Sequence, residues 1–363
     1  MLAAGGTGGH LFPAQALAEE LAGRGCSVDL VTDMRGDRYG TDFPARNLYQ
    51  VPAATFSGRS LFKAAHTALM LGRGLMVAHQ LLGKIKPKAV IGFGGYPTFP
   101  PLMAATVRGI PTALHEQNAV LGRANRMLAK RVSRIATSFE STRFLGEELT
   151  AKTRFTGNPV RSAVIDAATR PYSAPGKHGE IALLVFGGSQ GARFFSEAVP
   201  PSLALLPEDI RARLRVVQQA REEDLDGVVA TYREIGISAE VSPFFRDLPQ
   251  QMASAHLVIA RSGASTTAEL TAIGRPSILV PLPHALDNDQ LQNAIRLAES
   301  GAAWCIEQKN VSPQRLRREI ETLLADSGSL TAAATAAKSL GRPDAVVRLA
   351  DLVEELILGA GNS

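Results

Sequence analysis

Three glycine clusters are the residues whose pattern first points to chemistry: Gly5-Gly6-Thr7-Gly8-Gly9-His10, Gly92-Phe93-Gly94-Gly95-Tyr96-Pro97 and Gly187-Gly188-Ser189-Gln190-Gly191. Each follows a short apolar run. Without a Cβ, glycine lets backbone N–H groups approach a phosphate or sugar, and a helix opening behind the loop favours negative charge. The first cluster is not a Walker A loop, because no Gly-Lys-Ser/Thr follows, and it lacks the third glycine of a dinucleotide fingerprint. Two readings stand for it: a ligand cradle including Thr7, Gly8 and Gly9, or a tight turn alone. His10 favours the cradle, since a helix N-terminus disfavours imidazolium and suits a neutral general base, although a lone histidine is more often structural. Asp33, at the end of the second predicted strand, keeps a nicotinamide reading open.

A fourth cluster is Arg261-Ser262-Gly263-Ala264-Ser265-Thr266-Thr267-Ala268-Glu269. Its small hydroxylated residues would expose the first N–H groups of a helix and make another anion seat. Glu269 is read either as closing a capping box or as accepting the two hydroxyls of a ribose. Asp287-Asn288-Asp289 has the spacing of a divalent-cation site, but a turn and N-cap is the commoner origin of such a triplet. Residues 61–82 carry two stripes at helical spacing. Leu61, Ala64, Ala68, Leu71, Leu75, Ala78 and Leu82 form a core face. Phe62, His66, Leu69, Arg73, Met76 and Gln80 form a mixed apolar and basic face, which either lies on an anionic bilayer or packs under a neighbouring loop. Gly72 and Gly74 predict a break in this helix.

The elements that must position these residues alternate. Predicted strands at 28–32, 89–93, 112–114, 181–186, 256–260 and 277–280 are separated by predicted helices, among them 13–22, 125–131, 266–272 and 290–298. Such alternation predicts parallel sheets covered by helices on both faces. The first glycine cluster recurs in outline 182 positions later, at Gly187-Gly188. Two Rossmann-like halves follow, with a boundary near Gly157-Asn158-Pro159. Only Met1–Ala4 precede the first cluster, so the first predicted strand is short and the native start is expected upstream of Met1.

The 363 residues suggest two domains of ordinary globular composition. Formal net charge is +5, but residues 1–157 carry +9 and the remainder −4. Between Asp42 and Glu116 there is no carboxylate, while eight Lys and Arg fall in that stretch. A one-sign stretch of this kind points to an anionic partner. Nucleic acid is disfavoured, because one Trp and five Tyr leave few stacking platforms. Hydride transfer is disfavoured because neither half completes the dinucleotide fingerprint. Two distant cysteines, Cys26 and Cys305, suit a reducing compartment, and neither a secretory signal nor a membrane span is predicted.

Six motifs in this order resemble the MurG family of bacterial cell-wall glycosyltransferases: the first glycine cluster through His10, Phe93-Gly94-Gly95-Tyr96, His115-Glu116-Gln117-Asn118, Gly157-Asn158-Pro159-Val160-Arg161, Gly187-Gly188-Ser189-Gln190-Gly191-Ala192 and Arg261-Ser262-Gly263-Ala264. The resemblance runs from Ala4 to about Leu356. It implies an α/β protein of GT-B architecture, with two Rossmann-like domains whose parallel sheets face a cleft. Residues 1–157 would be an acceptor and membrane-facing domain, rejoined by a C-terminal helix within 342–363. Residues 158–341 would be the UDP-sugar donor domain.

The activity so implied is an inverting, metal-independent transfer of N-acetylglucosamine from UDP-N-acetylglucosamine to the 4-hydroxyl of undecaprenyl-diphosphate-linked muramyl-pentapeptide. It would run without a cofactor, at the cytoplasmic face of the inner membrane, with an anionic membrane surface and cell-wall and division proteins as further partners. By the same resemblance, Ser189 and the helix start at Ala264, Ser265, Thr266, Thr267 and Ala268 face the donor diphosphate, and Glu269 holds the ribose. Asn118, Arg161, Phe245 and Gln290, with Thr7, Gly8 and Gly9, complete the donor site. Gly94, Gly95 and Tyr96 form the acceptor loop, His10 is the proposed base, and Phe62, Leu69, Arg73 and Met76 form the membrane patch. The sequence departs from the family in placing Phe245 where an aliphatic residue is familiar.

Overall fold

The computed structural model describes residues 1–5, 8–33, 43–53 and 61–359, and the side chains among them except those of residues 61–66, 189–192 and 286. The chain divides into two compact units, Met1–Arg161 with Arg342–Ser363, and Ser162–Gly341.

The first unit is built on seven strands: β1 Leu2–Ala3, β2 Asp29–Thr32, β3 Asn47–Gln50, β4 Val90–Gly92, β5 Thr112–Glu116, β6 Arg134–Thr137 and β7 Thr153–Phe155. Their order is β3-β2-β1-β4-β5-β6-β7, and every pair is parallel. The central strands are buried on both faces, as the unbroken Val, Ile, Leu and Ala runs require when helices cover each side. Short as β1 is, it is paired on both sides, with Leu2 opposite both Leu30 and Ile91.

The second unit repeats the plan with β8 Ile181–Phe186, β9 Leu214–Gln219, β10 Ser238–Ser242, β11 Leu257–Ala260, β12 Ser277–Leu279 and β13 Ala303–Cys305. Its order is β10-β9-β8-β11-β12-β13, again wholly parallel. Both are doubly wound sheets of Rossmann order. Strand order reverses between β1 and β4 in one and between β8 and β11 in the other, which is where such sheets open a crevice at their carboxyl ends.

The last helix, Ala345–Gly359, returns to the first unit. Leu349, Ala350, Leu352, Val353 and Leu356 share a core with Leu11, Ala14, Leu17, Ala18 and Leu21 of the helix Gly8–Gly23. Arg24 closes the seam, donating to Asp351 at 2.7 Å and Glu354 at 2.9 Å.

Three local expectations are corrected. The helix Leu61–Ile85 runs unbroken through Gly72 and Gly74. A Cβ on Gly74 would collide with the carbonyl oxygen of Pro52, so this glycine serves a close backbone approach, not a break. Strand β5 continues past Leu114 through His115 and Glu116, because internal partners satisfy both buried polar side chains. The helix predicted from Thr266 begins at Ala264 with Gly263 as N-cap, which puts Glu269 too deep to close a capping box.

Candidate active site

In the first unit the loops after β1 and β4 meet at the point where strand order reverses. Gly5 is pressed against the end of β2 and the second loop: a Cβ there would lie 3.0 Å from Asp33 Oδ1 and 3.1 Å from Pro97 Cβ. Gly94 and Gly95 have φ of 85° and 73°, and the His10 ring lies along them. A Cβ on Gly94 would sit 3.3 Å from His10 Cε1, and one on Gly95 3.5 Å from His10 Cδ2. The missing side chains of the second glycine loop are therefore what make room for the imidazole carried by the first. Thr98 ties that loop, its hydroxyl donating to the Gly95 carbonyl at 2.8 Å, and Tyr96 beside it is half-buried. Gly8 and Gly9 are the first residues of the helix that carries His10, and Thr7 lies outside the described residues.

The end of β5 supplies the other wall. Glu116 is buried, which pushes its carboxyl up, opposed by the N–H groups it accepts. Its oxygens take the Asn118 amide N–H at 3.0 Å, the Gly122 N–H at 2.8 Å and the Asn125 side chain at 2.7 Å. The Asn118 side chain reaches the same carboxylate at 3.3 Å. Glu116 thus shapes the loop that presents Asn118. Gln117, between them, lies 3.1 Å through Oε1 from His10 Nδ1, and its amide nitrogen donates to His115 Nδ1 at 3.0 Å and to the His115 carbonyl at 2.9 Å. His115 Nε2 stands 2.9 Å from the Gly157 carbonyl. Complete burial pushes the His115 imidazole down to about 4, so it is neutral at pH 7. Arg161 stands with this unit, its guanidinium stacked 5.1 Å over the Phe12 ring.

The second unit brings together the helix Ala264–Ile273 and the segment leading into Asp289–Glu299. The N-cap of the first helix is Gly263, which has no side chain to cap it, and the N–H groups of Ala264, Ser265 and Thr266 lie at its start. Among the described residues the buried Ser265 hydroxyl has no hydrogen-bond partner, whereas Thr267 bonds back to the Gly263 and Ala264 carbonyls. Ala268 and the buried Glu269 follow one turn on. Gln290 accepts the Leu282 N–H on its amide oxygen at 3.0 Å, which leaves its NH2 end as the donor end, and the Ser262 hydroxyl donates to its carbonyl at 2.8 Å.

Arg261 is locked behind them, donating to the Val280, Pro281 and Gln308 oxygens; burial lowers its pKa to about 10, which leaves it charged. At the third glycine cluster the Gly187 and Gly188 N–H groups donate to Gln219 Oε1. The Ser189 side chain lies outside the described residues. Phe245 is buried, while its neighbour Phe244 is 69% exposed. Asp287 and Asn288 take left-handed backbone angles, a turn into the following helix, and Asp289 accepts the Gln290 N–H at 2.6 Å. Among the described residues no group of three or more His, Cys, Asp or Glu is placed to hold a metal.

On the helix Leu61–Ile85, Leu71, Ala78 and Leu82 are buried, while Leu69 and Met76 are 72% and 65% exposed with Arg73 exposed between them. Leu69 and Met76 thus stand largely uncovered by the described residues. The Phe62 side chain lies outside the described residues. No helix among the described residues is long and apolar enough to cross a membrane.

Sequence reasoning gave no role to His115, Gln117 or Phe244. Polar residues at the end of a buried strand were the signal for the first two, and an aromatic pair for the third.

Comparison with known proteins shows the family and the fold. Residues 1–137 match the glycosyltransferase family 28 N-terminal domain, and residues 182–349 match the glycosyltransferase family 28 C-terminal domain. The chain is 52% identical, over 99% of its length and 95% of the relative's, to the UDP-N-acetylglucosamine--N-acetylmuramyl-(pentapeptide) pyrophosphoryl-undecaprenol N-acetylglucosamine transferase of Chelativorans sp.. It is 53% identical to the protein of the same name from Rhodopseudomonas palustris, over 97% of this chain and 96% of that one. The crystal structure of Acinetobacter baumannii MurG superposes with a TM-score of 0.80 at 29% identity, covering 98% of each chain. A calicheamicin glycosyltransferase shares the fold at a TM-score of 0.67 and 18% identity, over 98% of this chain and 97% of that one.

Proposed function

The chain belongs to glycosyltransferase family 28, and from that membership we propose that it transfers N-acetylglucosamine from UDP-N-acetylglucosamine to the 4-hydroxyl of undecaprenyl-diphosphate-linked muramyl-pentapeptide. The observation that carries this reading is identity above half, along nearly the whole chain, to relatives named for that reaction.

The first unit serves the acceptor and supplies the base. His10 takes the proton as the 4-hydroxyl oxygen attacks the anomeric carbon, the bond to the diphosphate oxygen breaks, and the α linkage of the donor becomes β in the product. The second unit holds the donor. Its diphosphate sits against the uncapped N-terminus of Ala264–Ile273 and the Ser265 hydroxyl, where preorganised N–H dipoles stabilise the charge that grows on the leaving group. Glu269 accepts the ribose hydroxyls, Gln290 donates to the sugar through its NH2 end, and Phe244 offers an exposed ring for stacking beside the buried Phe245. Gly94, Gly95 and Tyr96 form the acceptor loop, and the negative charge is carried without a metal. Peripheral attachment at the cytoplasmic face of the inner membrane runs through Leu69, Arg73 and Met76.

The test is transfer of labelled N-acetylglucosamine from UDP-N-acetylglucosamine onto the lipid-linked muramyl-pentapeptide, with and without a chelator. Labelled lipid-linked disaccharide is expected in both. Absence of product would overturn the reading, and loss of product in chelator alone would overturn its metal-independent part.

A further inference from the structure

We propose that Gln117 and His115 are positioning residues that fix the tautomer of His10, holding the proton on Nδ1 so that Nε2 is the basic nitrogen. The proposal rests on the reading of His10 as the base. It follows from a chain of contacts in which each group has one allowed role. The Gly157 carbonyl only accepts, so His115 Nε2, 2.9 Å away, carries a proton and donates it. Ser138 agrees, because its hydroxyl proton goes to the Glu116 carbonyl at 2.8 Å, leaving oxygen lone pairs toward His115 Nε2 at 3.4 Å. His115 is wholly buried against the Phe93 ring and neutral, so its Nδ1 is an acceptor.

Two acceptors, His115 Nδ1 and the His115 carbonyl, therefore face the same end of the Gln117 amide, and that end must be the NH2. The other end is the carbonyl oxygen Oε1, which accepts and cannot donate. His10 Nδ1, 3.1 Å from it, is the donor. A neutral imidazole has one N–H, so His10 Nε2 bears the lone pair.

This arrangement differs from a carboxylate-oriented histidine in one respect. The orienting group is a neutral amide, which fixes the tautomer without a charge to raise the basicity of the ring. It also links the base, through the two side chains of Gln117 and His115, to Gly157, two residues past β7; a Cβ on Gly157 would meet Arg342 and Ala345, where the chain returns.

The experiment is long-range 1H–15N spectroscopy of the full chain labelled with 15N-histidine, with the His10 signals assigned from their loss in His10→Asn. The expected spectrum has a protonated, pyrrole-type Nδ1 and an unprotonated, pyridine-type Nε2 at His10. Gln117→Met keeps the length of the side chain and removes both ends of the amide. It should shift His10 toward the Nε2–H form and lower kcat roughly 10- to 100-fold, the order that misplacing a catalytic group costs, with KM for both substrates little changed. His115→Phe should have a smaller effect of the same sign, because the His115 carbonyl still holds the Gln117 NH2. A wild-type spectrum with the proton on Nε2 overturns the proposal, whether or not the variants fold. So does a folded Gln117→Met variant with wild-type tautomer and wild-type kcat. The wild-type transfer assay separates this from failure of the functional reading, since the spectrum reports the tautomer without turnover.

Discussion

At the scale of single residues, the first unit combines one histidine beside Gly94 and Gly95 with a second, wholly buried one behind it. Replacing His10 by Ala should lower kcat roughly 10²- to 10⁴-fold, the contribution of a positioned general base, with donor binding retained. Near-normal turnover with a soluble acceptor would remove that role. His115 makes a prediction about stability. Its folded pKa of about 4 lies below the ordinary 6.5, so on acidification the unfolded chain takes up this proton first. Stability from His115 is complete above the ordinary value and is lost as pH falls from there toward 4. By linkage the loss between pH 7 and pH 5 is about 2 kcal/mol. Denaturant unfolding of wild type and His115→Asn at the two pH values isolates the effect, because the opposite contribution of Glu116 is common to both. Equal pH dependence in the two proteins would show that His115 titrates normally.

At the scale of elements, the helix Leu61–Ile85 shows how one amphipathic pattern serves two surroundings. Its buried stripe packs in the first unit, and its other stripe leaves Leu69, Arg73 and Met76 exposed in a stretch without carboxylates. Two large apolar side chains on either side of a cation suit the boundary between headgroups and acyl chains of an anionic bilayer. Changing Leu69 and Met76 together to Ser should reduce pelleting with anionic vesicles and leave pelleting with neutral vesicles at its low level. Undiminished binding to anionic vesicles would move the attachment elsewhere. The same helix shows where periodicity misleads. Gly74 reads as a helix breaker from propensity alone, yet its missing Cβ admits the Pro52 carbonyl, a contact made by a residue more than twenty positions away in sequence.

At the scale of the whole molecule, the chain builds the same six-strand order twice and then returns its last helix to the first unit. The returning helix completes that unit's core, where Leu349 is fully buried. Leu349→Ala should destabilise the first unit by about 2–5 kcal/mol, the usual cost of such a cavity, and leave the second unit's transition unchanged. Hydrogen exchange read separately on the two sheets would check this, and equal loss of protection in both would argue against it. The charge distribution belongs to this scale as well. A total of +5 conceals a basic first part and a slightly acidic second one.

What the sequence by itself determined is the class of fold and the number of halves. Buried parallel strands leave continuous apolar runs, and close backbone approaches need glycine, so both are written locally. The six motifs and their order also sufficed to point to the family. Only the tertiary structure decided which loops meet. The glycines at positions 94 and 95 and the imidazole of His10 are some 85 residues apart, and they come together because β1 and β4 are neighbours where strand order reverses. Likewise, nothing local to Gln117 says that one end of its amide faces His115 and the other His10. That orientation follows from the Gly157 carbonyl, forty residues downstream, accepting the one proton of a buried imidazole. Hydrogen-bond direction is a property of the whole chain of partners, and the packing of distant segments sets it.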